Sequence, residues 1–147
     1  MGFQPARVKD FRAKVTADQM ARAAALFPQL KGLGIRKLRD LRLPQFSQLT
    51  FLSELRTFLD PEQYCVLDRT LVQIPALKNE FKVSGNAIPA TIGNERAYQW
   101  WVDLCARIAD RLTPPRRPVD VERGFFHLVD TGQIDAADSI FRLAAGI

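Results

Sequence analysis

Asp68 closes the run Tyr64-Cys65-Val66-Leu67, which follows Thr57-Phe58-Leu59-Asp60-Pro61. An apolar run that ends on one acid sets the carboxylate against a low-dielectric wall. An acid so placed either caps a helix or does chemistry. As a cap, Asp68 would open a short helix to Ile74, worth about 1 kcal/mol. A second group lies in Leu30–Leu41, where Gly32 and Gly34 flank one apolar residue. Two such glycines permit a tight turn and let backbone amides approach a phosphate at the next helix's N-terminus. Lys31, Arg36, Lys37 and Arg39 would stand beside that phosphate. The plainer alternative is a Gly-terminated helix followed by a basic one.

Charge supports the anion reading. The 147 residues carry a net +5, yet residues 1–44 hold ten Lys/Arg against three acids. More than the whole net charge therefore sits in the first third, as expected of a surface that meets polyanions. Other chemistries find little support. The chain has one His and two Cys, with no metal-ligand spacing. Cys65 and Cys105 sit in apolar surroundings and suggest thiols in a reducing, cytoplasmic compartment. His127, between Phe126 and Leu128, is expected to pack. Asp120 follows Pro118-Val119 and is accounted for as an acid in a helix's first turn. No Ser or Cys triad, P-loop or dinucleotide fingerprint is present.

The elements that must position these residues read as helical nearly throughout. Thr16-Ala17-Asp18-Gln19 forms a capping box, followed by a stripe of Met20, Ala23, Ala24 and Phe27 that Pro28 ends. Pro44 is expected to open a central helix, with Phe46, Leu49, Phe51, Leu52, Leu55, Phe58 and Leu59 filling most of its circumference. Asp60-Pro61 stops it, and Pro75 stops the short helix begun at Asp68. Residues 76–93 carry turn chemistry and room for one extended pair. Asn94 is expected to cap a long helix whose buried face is Tyr98, Trp101, Val102, Leu104, Cys105, Ile108 and Leu112. Residues 113–118 are a stiff Pro-rich linker, too short to separate domains. Helices over 119–129 and 134–143, divided by Gly132, close the chain. The expectation is one all-α domain over 1–147, of about seven helices. No run spans a bilayer, and Met1 to Lys14 lacks the apolar stretch of a secretory signal.

Taken in order, Leu43-Pro44-Gln45-Phe46-Ser47-Gln48-Leu49-Thr50-Phe51, an apolar helix, and Asp60 through Asp68 resemble the catalytic half of the helix-hairpin-helix base-excision DNA glycosylases. Residues 94–98 and 119–123 resemble compact relatives of that superfamily. The resemblance spans about residues 30–75. It implies a glycosylase-like fold in which 1–44 faces DNA, 45–75 carries the catalytic helix and Asp, and 94–147 packs behind. It gives Asp68 the catalytic role of stabilising an oxocarbenium-like sugar and positioning water, with the base first flipped from the duplex. Tyr64 or Trp100 would stack on that base, and Trp101 would belong to the core.

The sequence departs from the family's pattern at two points. Pro44-Gln45-Phe46-Ser47 lacks the hairpin glycines, and Leu49 stands where bifunctional members carry a Lys. Lys37 lies in the preceding helix and cannot replace it. The resemblance therefore implies monofunctional base release from damaged or modified DNA, with no cofactor and no iron–sulfur cluster. The chain is also shorter than most such enzymes, so the resemblance implies that part of the fold is missing or that a protein partner supplies it. The alternative is a non-catalytic DNA-binding or protein-interaction module that keeps only the fold.

Overall fold

The computed structural model describes residues 5–147, without the side chains of Pro5 and Arg7, so the first four residues of the Met1–Lys14 reading lie outside it. Eight α-helices follow one another among the described residues: α1 (Pro5–Lys14), α2 (Ala17–Leu26), α3 (Ile35–Asp40), α4 (Leu49–Leu59), α5 (Pro75–Lys78), α6 (Ile92–Arg111), α7 (Pro118–Asp130) and α8 (Ile134–Ala145). Short 3₁₀ turns occupy Phe27–Gly32 and Leu71–Gln73. The fold is all-α, as the periodicity predicts. No helix among the described residues is long and apolar enough to cross a membrane.

The capping box forms as expected. Thr16 Oγ1 accepts the Gln19 amide at 3.2 Å, and Gln19 Oε1 accepts the Thr16 amide at 2.9 Å. The stripe behind it does not become core, because α2 buries no residue and Phe27 is 71% exposed. The core gathers instead around Trp101 of α6. Its ring lies 5.6 Å from Phe125 of α7 and 6.3 Å from Phe141 of α8. Fully burying an aromatic of this size contributes about 2–3 kcal/mol, so the α6–α7–α8 contact dominates the packing.

Several boundaries differ from expectation for local reasons. Pro44 does not open α4. Gln45 takes a positive φ of 72° and turns the chain, and the helix starts at Leu49, whose amide bonds Ile88 O at 2.8 Å. Phe58 leaves the apolar face and is 84% exposed. Pro75 opens α5 at its first position, where its missing N–H costs nothing, and does not end a helix from Asp68. Thr91, one turn ahead of Asn94, caps α6 by accepting the Asn94 amide at 3.2 Å. The Asn94 side chain is thereby free to bond Lys82 N, Lys82 O and Pro89 O at 2.8, 2.8 and 2.9 Å. That fastens residues 82–89, where Ser84 and Ala87 form the expected extended pair. Leu112 lies outside the buried face of α6, at 44% exposure.

Candidate functional site

Asp68 is delivered by an extended segment that has no sheet partner, so its backbone polar groups must be satisfied by side chains. Three helices supply them. Tyr98 Oη of α6 donates to Cys65 O at 3.0 Å, and Trp101 Nε1 donates to Val66 O at 3.0 Å. Ser53 Oγ of α4 accepts the Leu67 amide at 3.0 Å and lies 3.2 Å from Leu67 O. The carboxyl of Glu122, on α7, faces the Val66 backbone closely enough for that amide to draw its pKa down. These clamps explain why Tyr98, Trp101 and Ser53 are fully or almost fully buried although polar.

The Asp68 carboxylate then turns onto its own chain. Oδ1 accepts the amides of Thr70 at 2.9 Å and Leu71 at 3.0 Å, which is the cap arrangement. Behind it lies Glu122, 6% exposed. Burial, then the neighbouring Asp68 charge, push the Glu122 carboxyl up to about 7, against the pull of the Val66 amide and Arg123. Burial, and then the neighbouring buried Cys65, push the Cys105 thiol well above the ordinary value, so Cys105 has little nucleophilic character. No cluster that could hold a metal exists among the described residues.

The rival acid is spent as expected. Asp120 takes the Arg117 amide at 3.2 Å and its guanidinium at 3.0 Å twice, which holds its carboxyl at about 2. His127 differs from expectation. It points to solvent, because position 127 falls on the outer face of α7 while Phe125 and Val129 take the inner one. Trp100 is half-buried and edge-on to Phe141 at 5.5 Å, so α8 already uses the surface proposed for a base. Trp101 is core, as expected.

The Leu30–Leu41 region forms a 3₁₀ turn followed by a short helix, held by a residue that the pattern conceals. Arg56, on α4, is 3% exposed, and its Nη1 donates to Lys31 O at 2.9 Å and also to Leu33 O. It thus takes up carbonyls at the end of the 3₁₀ turn. Lys31 pairs with the buried Asp60 at 3.6 Å. Gly32 and Gly34 have no positive φ, and a Cβ on either would meet nothing, so neither the turn nor packing demands glycine there. The amide expected to face a phosphate is occupied. Arg36 N donates to Glu95 Oε1 at 3.2 Å, and its Nε lies 3.9 Å from Glu95 Oε2. Arg39 donates to Ala90 O at 2.9 Å and pairs with Asp40. Lys37 is exposed and has no bonded partner among the described residues.

A cavity of about 270 Å³ opens between α3 and α6, lined by Arg36, Arg56, Tyr64, Glu95, Arg96 and Tyr98 among others. The Arg56 guanidinium lies 3.8 Å over the Tyr64 ring in its wall. Asp68 is not part of this lining. The residues expected to act together are therefore divided: Tyr64 and Arg36 meet at the cavity, Asp68 stands apart with Glu122, and Trp100 packs on α8. The sequence assigns no site role to Arg56, Glu95, Arg96, Ser53 or Glu122, although Glu95, Arg96 and Glu122 fall within segments of the resemblance. The signal for two of them was the polar trio Ser53, Arg56 and Thr57 along one face of an apolar helix. Compared with known proteins, the chain matches no family model, no curated protein and no solved structure.

Proposed function

We propose that this chain is a nucleic-acid-binding module in which α1 to α3 contact phosphates and Asp68 serves the fold. The observation that carries this reading is the separation of charge from core. The most basic part of the chain turns its cations to solvent, while its apolar residues Phe11, Val15, Ala23 and Leu26 lean on the core. Lys9, Arg12, Lys37 and Arg42 are exposed cations without ion-pair partners among the described residues. The acid that would do chemistry is committed to two amides of its own turn. The test is fluorescence anisotropy with duplex and single-stranded DNA across a salt series. Contacts to phosphate require affinity to fall steeply with salt, and each removed contact should lower the logarithmic slope by about one. The variant Lys9→Glu/Arg12→Glu/Lys37→Glu is expected to flatten that slope. Affinity indifferent to salt, or to this variant, sinks the reading.

A second reading, monofunctional release of a damaged base, draws on one observation. Asp68 stands beside Glu122, a buried carboxyl pushed up to about 7 by burial and then by the Asp68 charge. Asp68→Asn preserves the cap and should abolish base release across a lesion panel. Wild-type protein that releases no base from any lesion leaves the binding module as the function.

A further inference from the structure

The α3–α6 cavity carries a charge imbalance that the rest of the fold does not use. Arg56 is almost wholly buried, yet no carboxylate lies within ion-pair distance of it among the described residues. Its charge is met by carbonyl dipoles on Nη1 and by the face of the Tyr64 ring, and by no carboxylate. A buried cation without a counter-charge is costly, and lining an open cavity leaves room for an anion to supply one. Arg36 and Arg96 stand at the same cavity, and Glu95 is the one acid in the lining. Three guanidinium groups against one carboxylate leave an excess of positive charge. The remaining wall is mostly flat or apolar, with Tyr64, Tyr98, Ile35 and Ile92, and Gln99 adds one neutral polar group.

We propose that this cavity binds a phosphate monoester carrying a planar base, with the phosphate drawn to Arg36, Arg56 and Arg96 and the base against Tyr64 and Ile92. The ligand is one nucleotide, either free or at the 5′ end of a strand. A volume of about 270 Å³ suits one such unit. The Arg56–Tyr64 stack supplies a pre-formed planar wall, which lowers the ordering cost of binding. Tyr98 Oη is already spent on Cys65 O, so recognition falls to the arginines and not to that hydroxyl. The site rests on the nucleic-acid reading only for its strand-end form; free nucleotide binding stands alone.

The test titrates the protein with adenosine monophosphate, adenosine and inorganic phosphate, followed by calorimetry and by amide shifts of Gly34, Arg36 and Arg96. A 5′-phosphorylated oligonucleotide and its unphosphorylated twin form the second arm. Adenosine monophosphate should bind saturably, at least tenfold tighter than adenosine or phosphate. Arg36→Ala/Arg96→Ala, both at exposed positions, should weaken it at least tenfold without altering the melting temperature. Glu95→Gln should strengthen it several-fold, because the one opposing charge is removed. Arg56 itself is left intact, since its loss would disturb the fold. Absence of saturable binding, or unchanged affinity in the double arginine variant, overturns the site. Loss of affinity in Glu95→Gln overturns the anionic polarity of the ligand. Salt-sensitive duplex binding that survives such a failure would leave the α1–α3 reading standing, so the two are separable. A preference for the phosphorylated strand over the free nucleotide assigns the source.

Discussion

Glu122 makes the fold sensitive to pH in a direction opposite to most carboxylates. Its carboxyl is held at about 7 against an ordinary 4.5, chiefly by burial and then by Asp68. The folded state therefore binds a proton that the unfolded state has already lost between those two values. Stability falls as pH rises through that window and levels off above about 7. At about 1.4 kcal/mol for each pH interval, the full loss is about 3 kcal/mol. Glu122→Gln keeps a polar group for the Val66 amide and removes the titration. Urea denaturation of both proteins from pH 5 to pH 8 reads most of the difference, which should grow by about 2.5 kcal/mol, or about 1.2 M in midpoint for an m-value near 2 kcal/mol/M. Subtraction cancels the pH response of groups that do not interact with Glu122. Parallel stability profiles for the two proteins would refute the reasoning, and so would a variant that gains at pH 5 and loses at pH 8.

Other residues give simpler expectations. Asp68→Ala should cost about 1 kcal/mol of stability through loss of the cap, while Asp68→Asn should cost only a few tenths, both measurable by chemical denaturation. Arg56→Met should destabilise by about 3–5 kcal/mol, since the carbonyls of Lys31 and Leu33 lose their donor; a change under about 1 kcal/mol would show that water replaces it. Ser53→Ala should cost about 1–3 kcal/mol, because the buried Leu67 amide loses its acceptor. Replacing the exposed Phe58 by Ser should change the melting temperature by no more than about 1–2 °C.

The long helices were legible because their apolar spacing is regular. Tyr98, Trp101, Leu104 and Cys105 face inward as the 3.6-residue period requires, and Gly132 divides α7 from α8 at a positive φ of 79°. The short elements were not, because tertiary bonds decide them. α4 begins where Leu49 meets Ile88 O, a contact 39 residues away that no local window contains. Phe58 looked like core by type and by period, yet it stands exposed on α4. At the candidate site, the acid cap on Asp68 was readable from the local sequence, whereas its neighbour Glu122 arrives from α7. The basic hairpin was readable as charge, but Glu95's occupation of the Arg36 amide depends on how α3 meets α6.

The clamped segment Cys65–Leu67 sets the order in which this chain can fold. A strand in a sheet finds its partners in another backbone, often nearby in sequence. Here the partners of Cys65 and Val66 are single atoms 33 and 35 residues downstream, with Glu122 later still. Only Ser53 is available as the segment leaves the ribosome. A nascent chain that stops before α6 therefore leaves the Cys65 and Val66 carbonyls without their partners, and closure there waits for the C-terminal helices. In the finished protein, the Val66 and Leu67 amides should consequently be among the slowest to exchange with solvent, released only when the whole core opens.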